Sequence, residues 1–250
     1  MTEILIRRNP VLETLRGQRR DVQRLWLQQG LDNKIVAPFI DAAKACNVPY
    51  KRIDKQRLGQ MAHDSKHQGV LLEVGAYQYS DVDDMLALAR ARQEKPFLLL
   101  FDLLHGPQNI GQLLRTAEIC GVHGIILQDR RAPDITPSVV QFSQGATEHL
   151  LIAQVTNLVN TIEYLQAADV WIVGMDMTPD AQPLGATDLD VPLGIIVGHE
   201  GSGLRRLVSK RCDYLLQLPM RGHVESLNAA VAGSILLYAA WQARGFDGAR

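Results

Sequence analysis

The chain has 250 residues, of which 46% are hydrophobic and 21% charged, and its formal net charge is −1. These values are ordinary for a folded soluble protein of one or two domains. No apolar run reaches the ~18–20 residues that a membrane-spanning helix needs. The first residues also lack the basic-then-apolar layout of a secretory signal, so we expect a cytoplasmic protein.

The three cysteines, Cys46, Cys120 and Cys212, are odd in number and far apart in the chain. That pattern fits free, buried thiols in a reducing compartment better than a disulfide framework. No C-x-x-C pair is present, and the histidines form no metal-ligand spacing such as H-E-x-x-H. We therefore expect no metal site.

The small net charge hides an asymmetry along the chain. Residues 1–80 contain 13 Lys and Arg against 8 Asp and Glu, whereas residues 81–250 contain 13 against 19. A basic segment on a nearly neutral protein indicates contact with a polyanion such as nucleic acid. An ordinary solvated basic helix face explains the same balance, and charge alone leaves both interpretations open.

The first segment is predicted to form a small α/β unit. Apolar residues at helical spacing, each run ending in a glycine, predict helices over 11–17 and 22–30. A third helix is predicted over 38–48, with Pro49 directly after it. Residues 68–77 are predicted to form a strand. Residues 80–96 begin with an N-cap serine, Ser80, and run from acidic to basic, as a short helix matched to its dipole would. We predict domains at 1–78 and 96–250, with this helix as the linker 79–95.

From residue 97 onward, apolar strands alternate with helices. Such near-continuous apolar strands predict an α/β fold with a parallel sheet that is covered on both faces. The predicted strands are 97–103, 124–128, 150–155, 170–176, 193–198 and 215–219. The predicted helices begin near Asn109, Pro137, Asn157 and Gly203, and a last helix follows Ser226.

Three polar loops follow strands of this predicted sheet, at residues 105–121, 198–204 and 219–233. Ligands of parallel sheets bind outside the carboxyl ends of the strands, so these loops are the candidate site. The middle loop, "GHEGSGL", has no lysine after its glycines, as a P-loop requires, and its spacing does not match a dinucleotide fingerprint. Glu200 within it would repel a phosphate. The loop therefore favours a nucleoside-like or cationic ligand.

The stretches "GPQNIGQLLRTAEICGVHGIIL", "GIIVGHEGSGL" and "LPMRGHVESLNAAVAGSILLYAA" resemble the three ordered motifs of the SpoU (TrmH) RNA 2′-O-ribose methyltransferases, in the SPOUT superfamily. The resemblance covers about residues 96–242 and includes "FSQGATEHLLIAQVTNL". The earlier stretches "RRNPVLETLRG" and "HQGVLLEV" resemble the L30e/L7Ae-like RNA-binding domain of some members. With both parts present, the chain is most similar to members that methylate a guanosine of 23S rRNA.

The resemblance implies a SPOUT-type parallel sheet whose C-terminal part forms a deep trefoil knot, preceded by a small L30e/L7Ae-like α/β domain. It implies S-adenosyl-L-methionine bound in a bent shape inside the knot. It also implies a homodimer with active sites at the subunit interface. The substrate that it implies is RNA, and the similarity is greatest to members that act on rRNA. Neither a metal nor a membrane is implied.

The matching motif positions give the expected site residues. The resemblance assigns the reaction centre to Asn109, Arg115, Glu200, Ser226 and Asn228. It assigns the cofactor to Gly198, Glu200, Gly201, Leu218, Met220 and Leu227. Arg7, Arg8, Arg19 and Arg20, with Arg115, are the expected RNA contacts; Arg24 adds to the early charge.

Each of these residues has an ordinary structural interpretation beside the functional one. Asn109, Ser226 and Asn228 are suited to N-caps, Glu200 to a capping carboxylate near Gly203, and Arg115 to a surface salt bridge. Leu218 and Leu227 would otherwise be core. Family proposals make the arginine a general base, which is demanding because guanidinium stays protonated. Arg115 could instead bind the target phosphate or lower the pKa of the 2′-hydroxyl.

Two positions depart from the family pattern: Gly106 stands where an aspartate is usual, and His199 where asparagine, serine or alanine is common. The first puts a capping or dimer contact in doubt, and the second adds a titratable group near the cofactor. Three functions stay open from sequence. They are methylation of 23S rRNA, the same chemistry on tRNA or on a resistance-type rRNA site, and a silent RNA-binding assembly factor.

Overall fold

The computed structural model describes residues 2–129, 134–223 and 225–249. The chain forms two compact units: Met1–Gln78 with Ile135–His149, and Tyr79–Asp134 with Leu150–Arg250. The first unit is therefore not confined to the predicted residues 1–78. Residues 135–149 join it because their apolar side chains, including Val139 and Val140, are fully buried there.

The first unit contains a four-stranded mixed sheet. Its strands have the order β1-β4-β2-β3, in which β1 and β2 pair antiparallel to β4 and β2 pairs parallel to β3. The strands are β1 Glu3–Ile6, β2 Val22–Gln28, β3 Tyr50–Ile53 and β4 Val70–Val74. The helices are α1 Arg8–Gly17, α2 Asn33–Ala45, α3 Lys55–Ala62, α6 Pro137–Phe142 and a short 3-10 helix Ala146–Glu148.

One predicted helix is wrong: residues 22–30 contain the strand β2. Its residues Leu25, Trp26 and Leu27 are all buried, which is typical of a strand covered on both faces. A short apolar run has no periodicity that separates this pattern from a buried helix, and pairing with β3 and β4 decided the outcome. The predicted helix at 11–17 lies within α1. The one at 38–48 overlaps α2, which begins earlier and ends at Ala45, whereas β1, β3 and α3 were not predicted.

The second unit contains a seven-stranded sheet in which every recorded pairing is parallel, as predicted. The strand order is β7-β6-β5-β10-β8-β11-β9. The strands are β5 Phe97–Phe101, β6 Gly124–Gln128, β7 Leu151–Val155, β8 Trp171–Met175, β9 Gln182–Pro183, β10 Leu193–Val197 and β11 Tyr214–Gln217. Strands β5, β6 and β10 are buried along their whole length, which explains their unbroken apolar sequence.

The helices of this unit are α4 Val82–Arg92, α5 Pro107–Ile119, α7 Leu158–Ala167, α8 Arg206–Ser209 and α9 Ala229–Ala243. Helix α4 was predicted as a linker, but its Met85, Leu86 and Ala89 are buried in this unit. Its N-cap is Asp81, in a capping box with Asp84, rather than Ser80. The helix predicted from Gly203 is a single turn that begins at Arg206. None of the helices in the described ranges is long and apolar enough to cross a membrane.

The strand order sets the position of the candidate site. Strands β5 and β10 are neighbours in register, with Phe101 opposite Val197, so the chain leaves both strands at the same edge. There the backbone N–H of Asp102 donates to the Val197 carbonyl oxygen at 3.0 Å. The loops after β5, β10 and β11 follow strands that end at this edge, as expected for a parallel sheet.

Candidate active site

Three predicted site residues form one polar cluster. Asn109 Nδ2 donates to Glu200 Oε2 at 3.0 Å, and Asn228 Nδ2 donates to Glu200 Oε1 at 2.8 Å and to Asn109 Oδ1 at 3.1 Å. The Glu200 carboxylate thus joins two asparagines that lie 91 residues before it and 28 residues after it in the sequence. Each carboxylate oxygen keeps capacity for a further donor, because an ionised carboxylate offers about four acceptor positions.

The elements that carry the cluster explain its geometry. Asn228 is the N-cap of α9, and its Oδ1 accepts from the N–H groups of Ala230 and Val231. Asn109 is the third residue of α5, behind Pro107, so it is not an N-cap. The amide oxygen of Asn228 therefore caps the helix, while its amide nitrogen donates to the cluster.

Besides that of Asn109, two further expected capping roles are wrong. Ser226 is not the N-cap of the last helix, because that helix begins at Ala229 behind Asn228. Glu200 does not cap a helix near Gly203, since its carboxylate accepts from two asparagines instead. Gly106 holds the N-cap position of α5 with φ 85°, a left-handed conformation that glycine adopts without strain, and α5 has no side-chain cap.

The glycine-rich loop after β10 folds back on itself. His199 and Gly203 exchange backbone hydrogen bonds of 3.0 and 3.1 Å. A Cβ at Gly198 would lie 2.5 Å from the carbonyl carbon and oxygen of Gly203, so only glycine fits there. His199, the departure from the family pattern, orders the loop: its Nδ1 accepts from the N–H groups of Gly201 at 3.1 Å and Ser202 at 3.4 Å.

This loop borders a cavity of about 470 Å³, within the range of small-molecule sites. All of the predicted cofactor residues line it, namely Gly198, Glu200, Gly201, Leu218, Met220 and Leu227. Ser226 lines it as well. Met220 and Leu227 are 42% and 41% exposed, so Leu227 is a wall of the cavity rather than a core residue.

The cavity suits a ligand that is partly apolar and carries positive charge. Asp176, Glu200 and Glu225 line it, and neither lysine nor arginine is among its described lining residues. Methionine and leucine side chains supply apolar contact, and the glycine loop supplies exposed backbone groups. S-Adenosylmethionine has an adenosine, a sulfonium and an ammonium group. It therefore fits a cavity lined by carboxylates, apolar side chains and backbone groups. A nucleotide phosphate would face three carboxylates.

Arg115 is placed on α5 but is not part of the polar cluster. Its side chain is exposed, and no hydrogen bond or ion pair of it is recorded with any residue in the described ranges. The alternative of a surface salt bridge therefore has no partner in this structure. The guanidinium is free to meet an anionic group from outside the chain.

A second polar group at this edge was missed by the sequence analysis. Arg205 donates from Nε to Asp102 Oδ1 at 2.6 Å, from its backbone N to Asp102 Oδ2 at 2.8 Å, and from a terminal nitrogen to Gln128 Oε1 at 2.7 Å. Asp102 is fully buried, so the pair anchors the end of the glycine loop to the ends of β5 and β6. The available signal was an aspartate directly after an unbroken apolar strand.

Two of the cysteine thiols favour their protonated form. Burial, with the charges of Asp213, Asp102 and Asp176, raises the pKa of Cys212 to about 12, and burial raises the pKa of Cys120 to about 11. All three cysteines are free. The described residues contain no group of three or more His, Cys, Asp or Glu placed to hold a metal ion.

The arginines expected to contact RNA fall into two groups. Arg7 and Arg8 border a cavity of the first unit, and Arg19 is half-buried. Arg20 is 4% exposed, and its guanidinium lies 3.0 Å from Glu3 and 3.2 Å from Glu148 and stacks over Tyr77. The expectation for Arg20 is wrong, because a buried, ion-paired guanidinium presents no group to a phosphate.

Helices α5 and α9 pack closely and leave an apolar face exposed. A Cβ at Gly233 would lie 2.7 Å from Leu113 Cδ2, so glycine permits the close approach. On the outer side of α9, Val231, Ile235 and Tyr238 are 45%, 41% and 49% exposed at i, i+4 and i+7 spacing. They form one apolar stripe along the helix.

Family models match both parts of the chain. Residues 96–238 match the model described as the SpoU rRNA Methylase family, and residues 8–80 match one described as RNA 2′-O ribose methyltransferase substrate binding. A Bacillus subtilis protein named as a putative TrmH family tRNA/rRNA methyltransferase, YacO, is 37% identical over 242 residues, covering 97% of this chain and 96% of its own length.

Solved structures share the fold. The SpoU methyltransferase AviRb from Streptomyces viridochromogenes, solved in complex with the cofactor AdoMet, superimposes with a TM-score of 0.80 at 23% identity, covering 98% of this chain and 91% of its own. An AdoMet-bound rRNA methyltransferase from Sinorhizobium meliloti superimposes with a TM-score of 0.78 at 21% identity, covering 96% and 87%. Both likenesses extend over the two units and not over the sheet domain alone.

Proposed function

The chain belongs to the SpoU rRNA methylase family, and from that premise we propose that this RNA methyltransferase moves a methyl group from S-adenosyl-L-methionine to a ribose 2′-hydroxyl. The observation that carries the proposal is the joint position of the glycine-loop cavity and the Asn109–Glu200–Asn228 cluster, which share Glu200. We propose a guanosine of 23S rRNA as the target, which is what the resemblance of the sequence motifs, with the N-terminal domain, implies.

The cofactor assignment rests on how the cavity matches the ligand. Gly198 and Gly201 give a close approach to backbone groups, and Leu218, Met220 and Leu227 give apolar surface for an adenine ring. The carboxylates of Asp176, Glu200 and Glu225 favour the positive charges. When bound, the cofactor supplies an activated methyl on a sulfonium, which is already a good leaving group.

The polar cluster would orient the attacking ribose. A 2′-hydroxyl is a weak nucleophile, so its position and the removal of its proton govern the rate. Glu200 accepts one asparagine hydrogen bond on each oxygen and has capacity left for a ribose hydroxyl. Ser226 lines the same cavity and presents a second hydroxyl contact. These groups would hold the 2′-oxygen against the methyl.

Arg115 would bind the phosphate beside the target ribose. Its guanidinium is exposed and has no recorded partner among the described residues, which suits that anion, and its positive charge would favour loss of the 2′-proton. Arg115 acts in this proposal through charge, without leaving its protonated state. The 2′-proton would pass to solvent when the hydroxyl oxygen accepts the methyl group.

The proposal includes the quaternary and topological features of the family. The apolar stripe Val231–Ile235–Tyr238 on α9, with Ile119 of α5 exposed at 54%, supports a homodimer through these helices. The proposal also includes a trefoil knot wrapped around the cofactor, which is what the resemblance to the family implies. The first unit would hold the RNA as an L30e/L7Ae-like domain, through Arg7, Arg8 and Arg19. We place the protein in the cytoplasm.

The test is transfer of labelled methyl from S-adenosylmethionine to total bacterial RNA, followed by mapping of the modified nucleotide. We expect 2′-O-methylguanosine in 23S rRNA. Modification of tRNA or of another rRNA position would keep the chemistry and overturn the target. Intact cofactor binding with transfer only to pre-ribosomal particles would identify the particle as substrate. Absence of cofactor binding would overturn the proposed enzymatic activity and favour an RNA-binding protein without catalysis.

A further inference from the structure

The first unit has a concave site of its own, with a charge opposite to that of the cofactor cavity. Its volume is about 530 Å³. Arg7, Arg8 and Lys55 line it, and no aspartate or glutamate is among its described lining residues. The concavity therefore selects for an anion, just as the carboxylates of the other cavity select for a cation.

None of these three cations has a recorded ion pair with a carboxylate among the described residues, unlike two other arginines of this unit. Arg16 pairs with Glu13, and Arg20 pairs with Glu3 and Glu148. Arg8 Nε donates to the Gln68 carbonyl at 3.3 Å, which fixes the guanidinium while both terminal nitrogens have no recorded partner in the described chain. A fixed guanidinium with free terminal nitrogens is set up for two-point contact with a phosphate.

The backbone around the concavity is held in uncommon conformations. Arg7 has φ 73° and ψ 154°, a region that residues other than glycine rarely occupy. Gln68 and Gly69 are both left-handed, at φ 57° and 82°. Buried His67 holds this turn, since its Nδ1 accepts from the Gly69 N–H at 3.0 Å. Such strain collects at ligand sites because the surrounding structure must enforce it.

Neutral groups beside the cations suit a nucleobase. Gln28 and Gln68 line the concavity, and amide side chains read the donor and acceptor edges of bases. The Gln68 Oε1 accepts from the Arg8 backbone N–H at 3.0 Å, which leaves its amide nitrogen available. Leu31 adds an apolar contact. Phosphate and base groups are thus offered side by side.

We propose that this concavity binds one unpaired nucleotide of the substrate RNA, with its phosphate on Arg8 and Lys55 and its base edge on Gln28 and Gln68. This inference rests on the proposed function, because it takes the substrate to be RNA. It adds a recognition site in the first unit that is separate from the methyl-transfer site. A base in a duplex cannot enter, since its edge is already paired, so the site favours loops and bulges.

The test compares Lys55→Ala with Lys51→Ala in the full chain. Both lysines are exposed, but only Lys55 lines the concavity. The probe is a set of labelled single-stranded homopolymers of about eight nucleotides, within the range of single-strand site sizes. For Lys55→Ala we expect the slope of log affinity against log salt to become shallower by about 0.7, which is about a fivefold loss of affinity at 0.1 M salt. Lys51→Ala keeps the slope of the unaltered chain.

Two further arms test the nucleotide. For Gln28→Leu we expect an unchanged salt slope. We also expect a smaller difference in affinity between the homopolymer that binds most tightly and the one that binds most weakly. A fully paired RNA duplex binds more weakly than the single strands. Inorganic phosphate should displace the labelled RNA only at concentrations far above those of an unlabelled oligonucleotide, because phosphate makes no contact with the amide side chains of Gln28 and Gln68.

An unchanged slope in Lys55→Ala, or equal binding of duplex and single strands, would overturn the concavity as a nucleotide site. Equal competition by inorganic phosphate would reduce it to an anion site. Failure of the proposed function gives a different result, namely no methyl transfer by the unaltered chain to total RNA. The two ideas therefore fail in separate measurements.

Discussion

The amide nitrogen of Asn228 donates to the carboxylate of Glu200 over 2.8 Å, while the amide oxygen of the same residue caps helix α9. One side chain therefore connects the start of the last helix to the loop that borders the proposed cofactor cavity. Glu200 is thus held by the residue that caps α9, so α9 begins directly after a residue of the proposed reaction centre. The hydrogen bonds of the cluster all join residues of this chain.

Asn228→Asp should separate these two tasks. The aspartate keeps an oxygen to cap α9, so the free energy of unfolding should change by less than about 1 kcal/mol. Its second oxygen would face the Glu200 carboxylate where an N–H group now donates, so the cluster opens and methyl transfer falls by more than about 100-fold. Asn228→Ala removes both contacts and should also lose about 1 kcal/mol of stability. Denaturant unfolding and a transfer assay on the same samples measure this, and full activity of the aspartate variant would contradict the cluster.

Gly198→Ala should damage the loop itself. The new Cβ would lie 2.5 Å from the Gly203 carbonyl carbon and oxygen, which are backbone atoms that cannot rotate away. We expect a loss of about 1–3 kcal/mol of unfolding free energy and loss of S-adenosylmethionine binding by calorimetry. The control is Gly222→Ala, where a Cβ meets nothing within 4 Å and stability should stay within about 0.5 kcal/mol. Normal cofactor affinity in the Gly198 variant would show that the loop is not the cofactor cradle.

Arg115→Ala should separate catalysis from folding. The side chain is exposed and has no recorded partner in the described ranges, so its removal should leave the melting temperature and cofactor affinity unchanged. Transfer should fall by more than about 100-fold, the scale of losing a positioned charged group. Arg90→Ala, at an exposed arginine of α4, is the matched control and should keep full activity. Turnover near that of the control would remove Arg115 from the mechanism.

Arg20→Ala should act on stability rather than directly on RNA contact. It leaves the buried Glu148 carboxylate without its arginine, and breaking such a pair costs about 3–5 kcal/mol. Burial raises the pKa of Glu148, and Arg20 lowers it in opposition. Without Arg20 that pKa rises further above its unfolded value, so the folded state binds the proton more tightly and stability falls as pH increases.

The deficit of Arg20→Ala should therefore be smaller near about pH 5 than near about pH 8, because the proton neutralises Glu148 at the lower pH. Urea titrations of both proteins at the two pH values measure it. The same variant at low temperature, where it stays folded, should bind RNA with an unchanged salt slope. A shallower slope would restore Arg20 as a phosphate contact.

The sequence was sufficient for the parallel sheet of the second unit and for the loops that carry the site. Strands such as β5, β6 and β10 are buried on both faces, and an apolar run is the direct result of that burial. The sequence motif already included Gly198. A glycine is required there because the backbone of Gly203, only five positions later, leaves no room for a Cβ atom. Local patterns are readable when the residues that interact are close in sequence or when one environment covers a whole element.

Tertiary structure decided what depends on partners distant in the chain. Residues 22–30 became a strand because β3 and β4 pair with it, and residues 135–149 joined the first unit because its interior buries their apolar side chains. Arg20 and Arg8 are both arginines of the same basic segment. One is buried against Glu148, 128 positions later, and the other faces an open concavity. Composition counts both as equal charges, and only the folded chain determines which of them is already neutralised by a partner.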